Sequence, residues 1–404
     1  MSHHAPAHVL VAGAGYAGII AAQRLARRAG DRVRVTLVNP LPHLVERIRL
    51  HQVAAGWTPR ERRLADLLRG TGAALRLGRV VAIDPARRRV ELDEGGARTW
   101  VAVDHLVLAA GSTTRVELRG GGRAHRLDTP ASAQALGRAA REVAGRGQRL
   151  VVVGGGLTAI EAVSELVDAT PGLRAALVCR GRVGEGALGP AAAAHVRAAL
   201  VGRGVELVEE TPALAVEPGA VVTAAGLVHG GAVLWTAGFA ASPLAAVAGL
   251  AVDGAGRMLV ADTLAVADAP WIWGAGDAAV PAVPVGAPVV MSCKIAMPMG
   301  AHVADNLARV VRGRAPAAFS FGDVLVCASL GRGDGVVQRR DRAGGNRGAL
   351  RGRPAAWIKE AICRGTVTTL VATRRWAGFL RWFDGPRPAL PAATPAQLDA
   401  GGLP

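Results

Sequence analysis

Short apolar runs alternate along the chain with longer amphipathic stretches. Val9 to Ala12 and Leu150 to Val153 are apolar runs of strand length, and each leads through glycines into an alanine-rich stretch of helical length. Between residues 78 and 100 apolar and polar positions alternate, with turn residues at 84–85 and 95–96, which predicts a β-meander. Strands that alternate with helices predict an α/β fold with parallel sheets.

The same order of elements occurs twice, which predicts two similar units. The later segment 271–278 and the helix expected after Ser292 are interpreted as a return of the chain to the first unit. We therefore expect an α/β protein with two Rossmann-like dinucleotide-binding domains and a C-terminal α+β region. The expected division is 1–118 and 236–312 for the first domain, 127–235 for the second, and 313–404 for the C-terminal region.

Each unit carries a glycine fingerprint where a strand meets a helix. The first consists of Gly13, Gly15 and Gly18; the second has Gly154 and Gly156, with Ala159 in the third position. In such fingerprints the glycines permit a tight turn, an approach of backbone N–H groups to a diphosphate, and close packing of helix on strand. One match alone is also explained by an ordinary buried turn, but two in this context predict two bound dinucleotides. Further candidate binding residues at the helix starts are Tyr16, Ala17, Leu157 and Thr158.

The residues after the second strand of each unit are expected to contact the ribose. An acidic side chain usually accepts a hydrogen bond from the 2′-hydroxyl at this place. The first unit has Asn39 there, whose amide can still bond a hydroxyl. The second has Cys179, followed by Arg180 and Arg182. No carboxylate at this position would repel a 2′-phosphate, and the guanidinium groups could bind one. We expect NADPH rather than NADH at the second site; the alternative is that both arginines are solvated loop residues.

Composition narrows the class of protein and its surroundings. The net charge is +17, and 46 of the 48 basic residues are arginine, the two lysines being Lys294 and Lys359. More than half of the excess of basic over acidic residues lies between Gly331 and Arg387. A basic region of this kind fits contact with a membrane surface, nucleic acid or an acidic partner. No CxxC or CxxxxC spacing occurs, so a redox disulfide is not expected, and four isolated cysteines fit the cytoplasm. No metal site is expected.

The order of these segments resembles the two-dinucleotide flavoproteins of the pyridine nucleotide-disulfide oxidoreductase superfamily. Within it the chain is most similar to the type II NADH dehydrogenase branch, which includes apoptosis-inducing-factor-like reductases. The resemblance covers residues 8 to 335 and is carried by GAGYAG, DHLVLAAGS, VVVGGGLTAIEAVSEL, VLWTAG, WIWGAGDAA and GAHVADNLARVVRG. It implies FAD in the first domain and NAD(P)H in the second, with hydride transfer from the nicotinamide to the flavin.

The resemblance also implies roles for individual residues. Asp277 would bind a ribityl hydroxyl of FAD, Val80 would contact its adenine, and Glu161 would lie close to the nicotinamide. Glu161 and Lys294 are the candidate catalytic residues; Lys294 is expected to add positive charge near the flavin, and a surface lysine is the alternative. Further cofactor-binding candidates are Ala110, Gly111, Gly238 and Gly276.

Arg49 is a cofactor-binding candidate because the family's chain runs from the second strand towards the flavin at this point. Arg47 and His51 are candidates for the active site for the same reason. The alternative is that all three side chains lie on an ordinary solvated helix face.

The electron acceptor is the least determined part of the prediction. Respiratory members carry a glutamine-rich AQxAxQQG motif near the quinone, whereas the corresponding stretch here, 293–300, has Lys294, Pro298 and Met299 in place of the glutamines. We expect an FAD-dependent NAD(P)H dehydrogenase with a quinone-like acceptor; the alternative is a soluble flavin oxidoreductase acting on a specialised metabolite or a carrier protein. A nucleic-acid partner is not expected, because the 14 aromatic residues form no binding module.

One C-terminal segment has the spacing of an amphipathic helix. Trp376, Phe379, Leu380 and Phe383 fall at positions i, i+3, i+4 and i+7, which predicts an apolar stripe flanked by arginines. Such a helix suits the inner face of the cell membrane, where the protein would be peripheral. The alternatives are packing against the protein's own domain or against a second subunit of a homodimer.

Overall fold

The computed structural model describes residues 5–386, and its first unit is built on a parallel sheet. The elements up to the end of the first segment are β1 (Ala7–Ala12), α1 (Tyr16–Ala29), β2 (Val33–Asn39), α2 (Leu50–Ala54), α3 (Leu64–Leu68), β3 (Ala74–Leu77), β4 (Arg79–Asp84), β5 (Arg89–Glu94), β6 (Ala97–Ala102), β7 (His105–Leu108) and β8 (Ser112–Thr114). β1 pairs in parallel with β2 and β7, and its residues 9–11 are fully buried because both faces of the sheet are covered. β4, β5 and β6 form the predicted antiparallel meander.

The second unit repeats this plan on a separate four-stranded sheet. Its elements are α4 (Pro130–Gly145), β9 (Arg149–Val153), α5 (Leu157–Ala169), β10 (Arg174–Val178), α6 (Pro190–Val201), β11 (Val205–Val208), β12 (Ala213–Glu217), β13 (Ala220–Thr223), β14 (Gly226–His229) and β15 (Ala232–Trp235). The parallel strands lie in the order β11-β10-β9-β15, while β12, β13 and β14 form a small antiparallel sheet. The start of α5 therefore lies at the carboxyl end of a central strand, where α/β sheets bind ligands.

The chain then returns to the first sheet. The returning elements are β16 (Phe239–Ala241), α7 (Leu244–Val247), β17 (Met258–Val260), β18 (Ile272–Gly274), β19 (Ala279–Pro281) and α8 (Cys293–Val310). β18 pairs in parallel with β7, which completes the order β18-β7-β1-β2-β3 and confirms the predicted return. The fold class is thereby confirmed, whereas the numerical limits of the four-part division stay a prediction.

The C-terminal region is an antiparallel sheet followed by one long helix. Its elements are β20 (Leu325–Ser329), β21 (Gly335–Arg340), β22 (Asn346–Arg351) and α9 (Arg353–Arg375). In the part of the chain that the structure describes, no helix is both long and apolar enough to cross a bilayer. Residues 387–404 of the predicted region lie outside the described residues.

The predicted amphipathic helix over 376–383 is wrong. α9 ends at Arg375, and Trp376 has an extended backbone (φ −137°, ψ 102°). The Arg24 guanidinium, which reaches over from α1, donates to the carbonyl oxygens of residues 377 and 380, and Leu380 packs against the core of the first unit. The segment makes a turn, closed by a hydrogen bond from the N–H of Phe379 to the carbonyl oxygen of Trp376 at 3.0 Å, and these contacts hold it on the domain surface in a non-helical form, although Trp376, Phe379 and Phe383 remain exposed.

Candidate functional site

The start of α1 forms an open cradle beside the first sheet. Gly15 is the N-cap residue, no side chain caps the helix, and the first turn has no acidic residue. Among residues 5–386, no atom lies within 4 Å of a Cβ placed on Gly15, whereas one on Gly18 would lie 1.9 Å from the Gly13 carbonyl oxygen. Gly18 is therefore required for packing inside the protein, while Gly15 faces free space beside unsatisfied N–H groups. This geometry fits a diphosphate.

The start of α5 repeats this cradle in the second unit. Gly156 is its N-cap residue, again without a capping side chain, and a Cβ there would also have no neighbour within 4 Å. Gly154 adopts φ +133° and lies close to Thr236, at the end of the neighbouring strand β15. Leu157 and Thr158 form the first turn. The chain thus carries two open cradles of the same construction on two sheets, and the binding of a diphosphate in each stays a prediction.

Residues at the carboxyl edge of the first sheet come together around its cradle. Asn39 Oδ1, at the end of β2, accepts a hydrogen bond of 3.0 Å from the N–H of Ala14 in the glycine loop. Asp277 Oδ2, just after β18, accepts one of 2.7 Å from Ser112 Oγ, after β7. Val80 is buried in β4 and belongs to the same core. Five further cofactor-binding candidates lie at this edge or in the loops that follow it: Tyr16, Ala17, Ala110, Gly111 and Gly276.

A buried ion pair joins the second unit to the C-terminal helix. Lys359 Nζ, on α9, lies 2.9 Å from Glu161 Oε1, on α5, and their side chains are 14 % and 11 % exposed. The same carboxylate oxygen accepts a hydrogen bond of 3.0 Å from the backbone N–H of Ser329, at the end of β20. Glu161 therefore connects the helix of the second cradle to both the sheet and the helix of the C-terminal region.

Both members of this pair are held in their charged forms. Burial acts to raise the pKa of Glu161, but the Lys359 ammonium and the hydrogen bond from the Ser329 N–H hold that pKa below its ordinary value. Burial likewise acts to lower the pKa of Lys359, and the Glu161 carboxylate outweighs it, so this pKa is raised. The site thus contains a fixed positive charge next to a fixed negative charge at neutral pH.

Several buried polar atoms of the first unit have no hydrogen-bond partner among the described residues. Tyr16 Oη, Ser292 Oγ and His51 Nε2 are three of them. α1 packs against α9, the helix that carries Lys359. An unsatisfied polar atom is costly in a closed core, so His51 Nε2 beside the ion pair fits a site that receives a polar ligand.

His51 is the neutral member of this cluster. Burial lowers its pKa from 6.5 to about 4, with the Glu161 carboxylate acting in the opposite direction. The unfolded chain binds a proton at this histidine below about pH 6.5, whereas the folded protein does so only below about pH 4. Folding stability is therefore lost as the pH falls through this window, by about 3 kcal/mol from His51 alone.

We expect His51→Gln to remove this pH dependence. Urea unfolding of the wild type and the variant at pH 7.5 and 4.5 measures it, and the fall in the free energy of unfolding is expected to be about 3 kcal/mol smaller in the variant. His43→Gln, at a half-buried histidine, serves as the control. An equal fall in all three proteins would show that another group is responsible.

Arg49 is buried rather than solvated. Its guanidinium donates to both oxygens of Glu360 (2.9 and 3.0 Å) and to Gln52, and it lies over the Trp57 ring. The solvated-face alternative is therefore wrong for Arg49 and for His51, both 5 % exposed. Whether Arg49 contacts the cofactor stays a prediction; its observed role is to tie the α2 region to α9.

Lys294 also has a protein partner. Its Nζ donates to both oxygens of Asp323, at 2.6 and 2.7 Å, and Asp323 is shared with Arg340. Burial lowers the pKa of Lys294, while Asp323 acts against that change. The surface-lysine alternative is therefore wrong, since this lysine is fixed between α8 and the C-terminal sheet, and its predicted role beside the flavin stays a prediction.

Sequence reasoning missed Lys359 as a site residue. No motif contains it, and its partner Glu161 lies almost two hundred positions away in the chain. Composition did indicate this residue, because arginine fills 46 of the 48 Lys and Arg positions and lysine only two, Lys294 and Lys359. Both lysines are half-buried or buried and ion-paired at junctions with the C-terminal region.

Two Rossmann-like units with open glycine cradles, completed by a C-terminal α+β region, define the two-dinucleotide class of oxidoreductase folds. The family model of the pyridine nucleotide-disulphide oxidoreductases matches residues 7–301, and the chain belongs to this family. The family binds FAD together with NAD(P)H. All four cysteines of this chain are free thiols.

Three similar proteins indicate the branch. An NADH dehydrogenase-like protein of Mycobacterium tuberculosis is 32 % identical over 329 residues, covering 74 % of this chain and 79 % of that protein. A type II NADH:quinone oxidoreductase of Staphylococcus epidermidis is 28 % identical, covering 88 % and 93 %. The structure of NDH2 from Plasmodium falciparum in complex with NADH shares the fold, with a TM-score of 0.77, 12 % identity and coverage of 93 % and 100 %.

Proposed function

We propose that the protein is an FAD-dependent NAD(P)H dehydrogenase that passes electrons to a quinone-like acceptor. The observation that carries this proposal is the buried Glu161–Lys359 pair, which connects the helix of the second cradle to α9, and α9 also packs against α1. The two cradles would hold the diphosphates of FAD and NAD(P)H. The names of the relatives support the same reaction class.

The chain's own residues would bind and orient the two cofactors and would supply the positive charge in this site. Bound FAD supplies the chemistry, because it accepts a hydride from a reduced nicotinamide and releases electrons to an acceptor. Gly15 and Gly156 leave room for the diphosphates at the two helix starts. Lys359 Nζ holds a permanent positive charge that favours negative charge developing on a bound group, and Glu161 fixes the position of that ammonium.

Anaerobic titration tests the donor half of the reaction. The full-length protein reconstituted with FAD is mixed with NADH or NADPH, and the flavin absorbance near 450 nm is expected to bleach. Menadione or a short-chain ubiquinone is then expected to restore the absorbance faster than dioxygen does. A protein that binds no FAD, or whose flavin neither nucleotide reduces, would refute the proposed function.

A second candidate function keeps the flavin and changes the acceptor. It is a soluble NAD(P)H oxidoreductase acting on a specialised metabolite or a carrier protein. The observation that favours it lies in α8, where Pro298 and Met299 replace glutamines of the respiratory motif. In the same helix, Lys294 is paired with Asp323. Failure of quinones to reoxidise a flavin that NAD(P)H has reduced would favour this candidate.

An exposed aromatic segment is the proposed membrane contact. Trp376, Phe379 and Phe383 are 61 %, 43 % and 54 % exposed, and arginines flank them at 374–375 and 381. Apolar rings with adjacent cations suit the interface of an anionic bilayer even without a helix. We therefore place the protein at the inner face of the cell membrane, in contact with its surface.

Flotation with anionic phospholipid vesicles tests this contact. Replacing all three aromatic residues by serine is expected to lower the bound fraction at least roughly tenfold, because the apolar surface that enters the interface is lost. Trp100→Ser, at an exposed tryptophan of β6, is the control. Equal flotation of all proteins would discard the membrane contact, and a change in oligomeric state of the triple variant would assign the segment to a homodimer interface instead.

A further inference from the structure

The loop after β10 lies directly against the second cradle. The N–H of Gly154 donates to the carbonyl oxygen of Val178, the last residue of β10, at 2.8 Å. The N–H of Gly184 donates at 2.8 Å to the carbonyl oxygen of Gly155, in the centre of the glycine loop. The segment 179–184 is therefore fixed beside the place where the adenosine half of a dinucleotide meets the cradle.

The first residue of this loop provides no negative charge. Cys179 is buried, and its thiol donates to the carbonyl oxygen of Gly181 at 3.0 Å. Burial raises the pKa of this thiol to about 11, so it stays uncharged at neutral pH. The usual acidic partner of a ribose 2′-hydroxyl is thus replaced by a small neutral group that points into the protein.

The charged side chains of the loop are positive and available. Arg180 and Arg182 are exposed, and within residues 5–386 no carboxylate lies within ion-pair distance of either guanidinium. Two of the neighbouring carboxylates have partners of their own. Glu185 Oε2 accepts from the backbone N–H of Arg182 at 2.8 Å, and Glu209 pairs with Arg197 at 2.6 Å.

We propose that Arg180 and Arg182 bind the 2′-phosphate of NADPH, and that the enzyme uses NADPH in preference to NADH. This inference rests on the proposed function, since it names the substrate of the second cradle. The planar guanidinium matches phosphate oxygens through paired hydrogen bonds, and two of them offset the charge that the 2′-phosphate adds. NADH offers these side chains no comparable group.

Steady-state kinetics measure the preference. The wild type is expected to show a kcat/KM at least tenfold higher for NADPH than for NADH, mainly through KM. Arg180→Ala and Arg182→Ala are each expected to lower kcat/KM for NADPH roughly ten- to hundredfold and to change that for NADH by less than about threefold, because charge-assisted hydrogen bonds to phosphate are lost. Arg174→Ala, at the opposite end of the same strand, is the control and is expected to leave both values unchanged.

A binding measurement separates this inference from the proposed function. Calorimetric titration with 2′,5′-ADP and with 5′-AMP needs no turnover, and the wild type is expected to bind 2′,5′-ADP at least tenfold more tightly. Loss of that difference in the double variant Arg180→Ala with Arg182→Ala supports the inference even if no acceptor is found.

Three results would overturn the proposal that Arg180 and Arg182 bind the 2′-phosphate of NADPH. The first is equal or tighter binding of 5′-AMP by the wild type. The second is an equal loss for both nucleotides in the arginine variants, which would make these residues structural. The third is a selective loss of NADH activity in Glu185→Gln, which would assign the ribose 2′-hydroxyl to that carboxylate.

Discussion

Replacing Gly15 by alanine is expected to yield a folded protein that does not retain FAD. The glycine has an ordinary φ of −77°, and a Cβ there meets no protein atom within 4 Å, so the substitution does not strain the fold. The methyl group instead fills the space beside the N–H groups at the start of α1, where a diphosphate would lie. Losing two hydrogen bonds to that anion costs about 3 kcal/mol, which is roughly a hundredfold in Kd.

The second cradle supplies a matched control for this experiment. Gly156→Ala makes the same change at the same position of α5 and is expected to leave FAD bound while raising KM for NAD(P)H. Absorbance of the purified proteins, FAD titration and the unfolding midpoint are the measurements. If Gly15→Ala retains stoichiometric FAD and Gly156→Ala loses it, the two cradles have been assigned the wrong way round. Retention by both would contradict the diphosphate interpretation.

Replacing Lys359 by methionine is expected to destabilise the protein by about 3–5 kcal/mol. The substitution keeps the length of the side chain but leaves the buried Glu161 carboxylate without its cation. NAD(P)H-dependent turnover of the remaining folded protein is expected to fall about a hundredfold, since a preorganised positive charge has been removed from the site. Denaturant unfolding and steady-state kinetics at a quinone acceptor measure the two effects.

The same helix provides the control for Lys359. Arg364 pairs with Glu360 on the exposed side of α9, and Arg364→Met is expected to change stability by less than about 1 kcal/mol. Combining Glu161→Gln with Lys359→Met is expected to restore part of the lost stability without restoring turnover, because no unpaired charge is left. A fully active Lys359→Met variant would show that this ammonium serves the fold alone.

The cradles were predictable because their geometry is local. A strand, three glycine positions and a helix start follow one another within about a dozen residues, so the sequence contains all the atoms that form the anion site. The buried parallel strands were predictable for the same reason, since continuous apolar runs are typical of sheets covered on both faces. The return of the chain to the first sheet was also predictable, whereas the hydrogen bond between Asp277 and Ser112 is known only from the structure.

The C-terminal segment shows where periodicity was insufficient. Trp376 to Phe383 has helical spacing, but the contacts that decide its conformation come from Arg24 on the first helix and from the core of the first unit. A spacing of three and four residues records which side chains would share a helix face. It contains no information about a guanidinium on another element that donates hydrogen bonds to the backbone carbonyls of the segment.

By itself, the sequence determined the fold class, the two glycine fingerprints and the absence of a carboxylate at the positions directly after β10, because each depends on neighbouring residues. Only the tertiary structure showed that Lys359 pairs with Glu161, that His51 is buried beside them and that Arg180 and Arg182 have no acidic partner among residues 5–386. These properties depend on distances between residues far apart in the chain and on exclusion of water, which exist only once the three regions have packed together.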